Sequence, residues 1–163
     1  MNSVKIIDSR LLDALSVEAA TTSRRRKNLN FHSHESAPAN RLLNALEPDS
    51  YIQPHRHLDP TKGETLVVLR GAVGMVIFDE NGVVLQHAVL RASGGAMGVD
   101  IPSATWHTFV GLEPGSVIFE AKAGPYAPLD RKEKAWWAPV EGDETAFAYL
   151  EQLNSLFESE QAY

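Results

Sequence analysis

His55-Arg56-His57 is the part of this chain best equipped to do chemistry. Two histidines at i and i+2 on a strand point to one face, roughly 6.6 Å apart along it. Their imidazole nitrogens can then reach a single ion. Glu64 follows, and a third histidine closes the run Ile101-Pro102-Ser103-Ala104-Thr105-Trp106-His107. A carboxylate and a third imidazole from neighbouring strands would complete a facial nitrogen and oxygen site with coordination positions left open. That ligand set suits one divalent transition metal ion, and Zn, Fe, Ni, Mn and Co all accept it. Asp59 is the competing carboxylate, because one residue of register slip would turn Glu64 to the opposite face.

Strands must position these residues, and the chain from Arg41 to about Lys122 has a β texture. Apolar runs at Arg41–Leu46, Thr65–Leu69, Val73–Phe78, Val83–Leu90, Trp106–Val110 and Val117–Ala121 are separated by turn residues. Asp79-Glu80-Asn81-Gly82 carries the Asn-Gly pair of a tight hairpin. Ala92–Gly98 is Gly-rich and too short for a helix. Short strands with regular turns argue for a sandwich or a barrel. Before them, residues 8–20 have the stripe of a short amphipathic helix, with Asp8 or Ser9 as cap and Leu11, Leu12, Leu15 and Ala19 on one face. The polar stretch Asn28–Asn40 has no clear period and reads as a loop or an irregular strand. After the strands, Asp143 can cap a helix to about Glu158 with Phe147, Leu150, Leu153 and Phe157 on one face. Trp136 and Trp137 are expected to pack that helix onto the strands.

The chain has 163 residues and a formal net charge of −6. An acidic balance of this kind argues against nucleic acid and anionic membranes as partners. With no cysteines, thiolate zinc sites and iron–sulfur clusters are excluded. No run of 18 apolar residues and no signal-like N-terminal segment is present, so no membrane span is expected and a cytoplasmic location is the simplest reading.

His55 to Gly71 resembles the first sequence motif of the cupin superfamily, H-x-H, a spacer, Glu, six residues and Gly. The matching positions are His55, His57, Glu64 and Gly71. The spacer before Glu64 is longer than the usual one, and Asp49 stands where that motif has a glycine. The second motif, P-x-G-x-x-H followed by Asn, is met by Pro102 and His107, with Ala104 at the glycine position and Gly111 at the asparagine. More narrowly, the chain resembles the WbuC-type cupin-fold metalloproteins. The resemblance runs through Arg26-Lys27-Asn28, Asn30-Phe31-His32, Arg41-Leu42-Leu43-Asn44-Ala45, Tyr51–His57, Phe119–Tyr126 and Trp137-Ala138-Pro139 with Glu141-Gly142.

That resemblance implies an all-β fold, a cupin-like double-stranded jelly-roll β-barrel with a short N-terminal helix and a C-terminal helix. Residues 1–163 would be a single cupin domain, with a core at about 41–122, an N-terminal helix and loop at 1–40 and a C-terminal extension at 123–163. His55, His57, Glu64 and His107 would hold the metal. The family's link with surface-polysaccharide gene sets implies a sugar-related small molecule, and the pairing of many cupins implies a homodimer.

Within the pocket, Arg25, Asn30, His32 and Glu120 are the candidates. An arginine from the run Arg24–Lys27 could bind a carboxylate or phosphate bidentately. Glu120 and Lys122 share one face of the last strand, and Lys122 is expected to face solvent. Three functions follow. The protein could be a metal-dependent enzyme, either a sugar isomerase or epimerase or an iron-dependent dioxygenase. It could be a non-catalytic module that binds or senses a small ligand. It could instead use the metal only for stability.

Overall fold

The computed structural model describes residues 4–158. Helix α1 spans Ser9–Thr21. Eight strands follow: β1 Arg26–Asn30, β2 Ala39–Leu46, β3 Glu64–Arg70, β4 Ala72–Phe78, β5 Val84–Arg91, β6 Gly98–Ile101, β7 Trp106–Gly111 and β8 Ser116–Ala123. A short 3-10 turn at Arg131–Glu133 leads to helix α2, Ala146–Ser155. The strands form a five-stranded sheet in the order β1-β2-β8-β3-β6 and a three-stranded sheet in the order β5-β4-β7. All pairings are antiparallel. The sheets face each other as a jelly roll but do not close into a barrel, since no ladder joins them.

Alternation explains the layers. Along β2, Leu43 and Ala45 turn outward against Leu12, Leu15 and Ala19 of α1. The opposite face of the sheet supplies Leu46, Leu66 and Ile118, which meet Val73, Met75 and Phe109 of the small sheet. Strand β4 is buried along nearly its whole length because both of its faces are covered. Its outer face lies under α2, where Val76 and Phe78 pack with Leu150, Leu153 and Phe157. Gly74 is required there, since a Cβ would lie 2.4 Å from the Phe157 ring. Burial of that ring, fully enclosed, contributes about 2 kcal/mol.

Asp8 caps α1 as expected, its Oδ1 accepting from the Leu11 N–H at 3.0 Å. Several expectations are corrected. The polar stretch includes a regular edge strand, β1, whose ladder to β2 supplies the order its composition lacks. The Gly-rich segment ends in β6, which pairs with β3. On α2, Ala146 rather than Phe147 shares the buried face with Leu150 and Leu153, and Phe147 is 63% exposed. Trp137 packs against Phe78 and Trp106, with ring centroids 4.9 and 6.0 Å away, whereas Trp136 is exposed. No helix among the described residues is long and apolar enough to cross a membrane.

Candidate metal centre and its cleft

His55 and His57 do not lie on a regular strand. They sit in an extended loop pinned at its backbone from both sides. The His55 N–H donates to the His107 carbonyl at 3.0 Å, and the His107 N–H returns the bond to His55 at 2.9 Å. Arg56 N–H donates to the Glu133 carbonyl and Ala104 N–H to the His57 carbonyl, at 2.9 and 2.7 Å. The side chains therefore keep the one-face alternation of a strand without belonging to a ladder. Their rings are 5.6 Å apart, and the His107 ring from β7 lies 4.6 Å from that of His55.

Glu64 opens β3 and faces this group. One ligand atom from each of His55, His57 and Glu64 lies within 4.8 Å of the others. His107 Nε2 is 2.6 Å from Glu64 Oε1, and His57 Nε2 is 3.4 Å from Oε2. Asp59 is turned away and exposed, its Oδ1 accepting from the Thr61 N–H and hydroxyl.

The chemistry of the donor set fits a metal. His55 Nδ1 donates to the Gln53 carbonyl at 3.1 Å, and His107 Nδ1 to the Thr105 carbonyl at 2.9 Å. A carbonyl only accepts, so both rings carry their proton on Nδ1 and present a bare Nε2. The buried Nε2 atoms of His57 and His107 have no aligned hydrogen bond among the described residues. Desolvation, then the neighbouring His107, pushes His55 down to about 3, so it stays a neutral ligand. Glu64 is buried against these rings, and the Lys122 ammonium 3.4 Å away favours its ionised form. Three imidazoles and one carboxylate could thus take one divalent ion, which would act there as a Lewis acid.

The group opens into a cleft of about 1210 Å³ between the sheets. Of the pocket candidates, Asn30, His32 and Glu120 line it. Arg25 does not. It adopts a left-handed backbone with φ 55°, and its Nε bonds Asp49 at 2.9 Å while its guanidinium also reaches the Ala20 carbonyl. Its neighbours Arg24 and Arg26 line the cleft instead and share Glu141, each at 2.6 Å.

Lys122, expected in solvent, faces the cleft. Its Nζ lies 2.6 Å from Glu120 Oε1 and 3.4 Å from Glu64 Oε2. Desolvation pulls its pKa down, but the two carboxylates more than offset it and raise it overall. Asn40 and Asn44 also line the cleft and were not singled out from the sequence. The readable signal was their spacing, polar residues at i and i+4 on a strand face whose other members, Leu42 and Leu46, are apolar.

The model of the family described as "Domain of unknown function (DUF6016)" matches residues 7–90, just over half of the chain. No curated protein sequence matches it. Among solved structures, KdgF from Halomonas sp. is 16% identical, with 66% of this chain and 85% of that chain covered and a TM-score of 0.50. A conserved protein of unknown function from Streptococcus pyogenes, SPY1581, is 12% identical, with 78% and 93% covered and a TM-score of 0.52. Oxalate oxidase in complex with the substrate analogue glycolate is 13% identical, with 86% and 76% covered and a TM-score of 0.54. These neighbours share the two-sheet jelly-roll fold with this chain.

Proposed function

Since the chain belongs to the DUF6016 family and has the cupin fold, we propose that it binds one divalent metal through His55, His57, Glu64 and His107 and uses the cleft beside it for a sugar or sugar acid. One observation carries the reading. The Nε2 atoms of His57 and His107 converge on the buried Glu64 and are left without aligned hydrogen bonds. Buried polar atoms left in that state are costly unless another group completes them.

Each surrounding residue has a part in this reading. Gln53, Thr105 and the backbone of β7 orient the rings. Lys122 holds the Glu64 carboxylate from the cleft side. Arg24, Arg26, Lys62 and Lys134 give the cleft wall cationic groups suited to a ligand carboxylate. The complex of oxalate oxidase with glycolate shows a protein of this fold holding a small hydroxy acid. Resemblance to the WbuC-type proteins supports a place in surface-polysaccharide metabolism and a homodimer.

An isomerase or epimerase would need a proton acceptor facing the ligand, and His32 and Glu120 are the cleft-lining candidates. A non-catalytic binding module is a second reading with an observation in its favour. Glu120 already shares a 2.6 Å ion pair with Lys122, so its Oε1 is engaged rather than free to take a ligand proton. Product formation on long incubation with a bound sugar acid separates the two.

Elemental analysis of the purified protein tests the metal. About one ion per chain is expected, lost in His55→Ala and in His107→Ala. Full metal content in either variant, or none in the wild type after reconstitution, would overturn the assignment. Iron would direct attention to oxygen consumption, as for a dioxygenase.

A further inference from the structure

The histidine end explains only part of the polar lining of the cleft. On β2, Asn40, Leu42 and Asn44 alternate onto the cleft side, while Leu43 and Ala45 face α1. In the ladder with β1, Asn44 pairs with Asn28 and Leu42 with Asn30. In the ladder with β8, Asn40 pairs with Lys122 and Leu42 with Glu120. Four carboxamides, from Asn28, Asn30, Asn40 and Asn44, therefore share one wall, which begins beside Lys122.

Two of them are not satisfied by the fold. Asn40 is 3% exposed, and its Oδ1, like that of Asn44, is buried with no hydrogen-bond partner among the described residues. A buried amide oxygen without a partner is destabilising until some group donates to it. A wall needing only volume could use leucine, as it does at Leu42 between them. A carboxamide is neutral and both donates and accepts, which matches a hydroxyl group. A carboxylate offers no proton to a bare amide oxygen, so a simple acid would leave these oxygens unpaired.

We propose that Asn28, Asn30, Asn40 and Asn44 form a hydroxyl-recognising wall that selects a polyhydroxylated carboxylate over a short, sparsely hydroxylated acid. The proposal rests on the ligand class inferred for the metal site. The histidine end takes the carboxylate or its neighbouring oxygen, and the asparagine wall counts hydroxyls along the chain. Specificity then follows from the penalty of leaving buried polar groups unpaired by the wrong ligand.

Calorimetric titration of the metal-loaded protein with D-gluconate and with glycolate tests this, using Asn40→Leu and Asn44→Leu beside the wild type. The wild type should bind gluconate more than about tenfold tighter than glycolate. Each leucine variant should lose about tenfold or more in gluconate affinity while glycolate affinity and metal content stay unchanged. Its melting temperature should hold or rise, because an unpaired buried oxygen is gone. Unchanged gluconate affinity in both variants would overturn the wall, as would a wild type that does not prefer gluconate. If the metal-loaded wild type binds neither acid, the wall falls together with the proposed ligand class. Absence of metal, read separately by elemental analysis, would sink the metal site itself. Asn44→Leu, at a less enclosed position, keeps the test decisive should Asn40→Leu not fold.

Discussion

Two charge triads line the cleft, and each is the other's opposite. In the inner one, a single cation, Lys122, stands between Glu64 and Glu120. In the outer one, a single anion, Glu141, stands between Arg24 and Arg26. The inner triad carries one net negative charge and the outer one net positive charge. Their surroundings differ as much as their signs. The Glu64 side chain is 4% exposed, whereas in the outer triad Arg24 is 62% and Glu141 32% exposed and only Arg26, at 10%, is enclosed. Pairs in water contribute under about 1 kcal/mol, whereas breaking a buried pair costs about 3–5 kcal/mol. The inner triad therefore presents poorly screened negative charge to the three imidazoles and favours a further cation. The outer triad works as a latch. It ties the start of β1 to the C-terminal segment, and Arg26 also donates to the Tyr51 carbonyl at 2.8 Å.

This contrast can be broken most directly at Lys122. Lys122→Met leaves two carboxylates inside without their shared cation. The metal-free variant should lose about 3 kcal/mol in urea denaturation, and added metal should restore part of that loss. Unchanged stability would mean that the inner triad is screened like the outer one.

Glu64→Gln comes next. It removes the anionic ligand while keeping the shape, so metal affinity should fall about 100-fold. Asp59→Asn should leave affinity unchanged in the same competition assay with a chelating dye. The reverse order would move the carboxylate role to Asp59.

The smallest effect belongs to the latch. Glu141→Gln should cost under about 1 kcal/mol at pH 7. Burial pushes the Glu141 carboxyl up, but the two arginines outweigh it and hold its pKa below the ordinary value. Its stabilisation is therefore complete above the unfolded pKa of about 4.3 and disappears as the pH falls through the folded pKa. Wild-type and variant stabilities should converge on acidification. A gap that stays constant with pH would remove the ion pair as its cause.

The inner triad was half legible in the sequence and the outer one hardly at all. That His55, His57, Glu64 and His107 come together could be read because their types and spacing follow a metal-ligand pattern. Most strands could be read because period-two burial leaves a trace, as in the alternating β3. Lys122 could not, since a lysine ordinarily seeks water. Its place depends on ladder partners, Glu64 on one side and Asn40 on the other, that lie far away in sequence. Within Arg24-Arg25-Arg26, the residue turned away is set by a positive φ at Arg25. No residue type announces that conformation, least of all an arginine. Glu141 follows these arginines by more than a hundred residues, so its pairing with them is purely a product of the fold.

The backbone pins of the histidine loop also have a consequence for how the protein is made. His55 bonds to His107, Arg56 to Glu133, and Ala135 to the Pro54 carbonyl. A chain emerging from the ribosome presents the His55 and His57 side chains long before these anchors exist. Loop-closure entropy weighs against forming such distant contacts early. The histidine loop is therefore completed late in folding, when the segment around Glu133–Ala135 arrives to lock it in place.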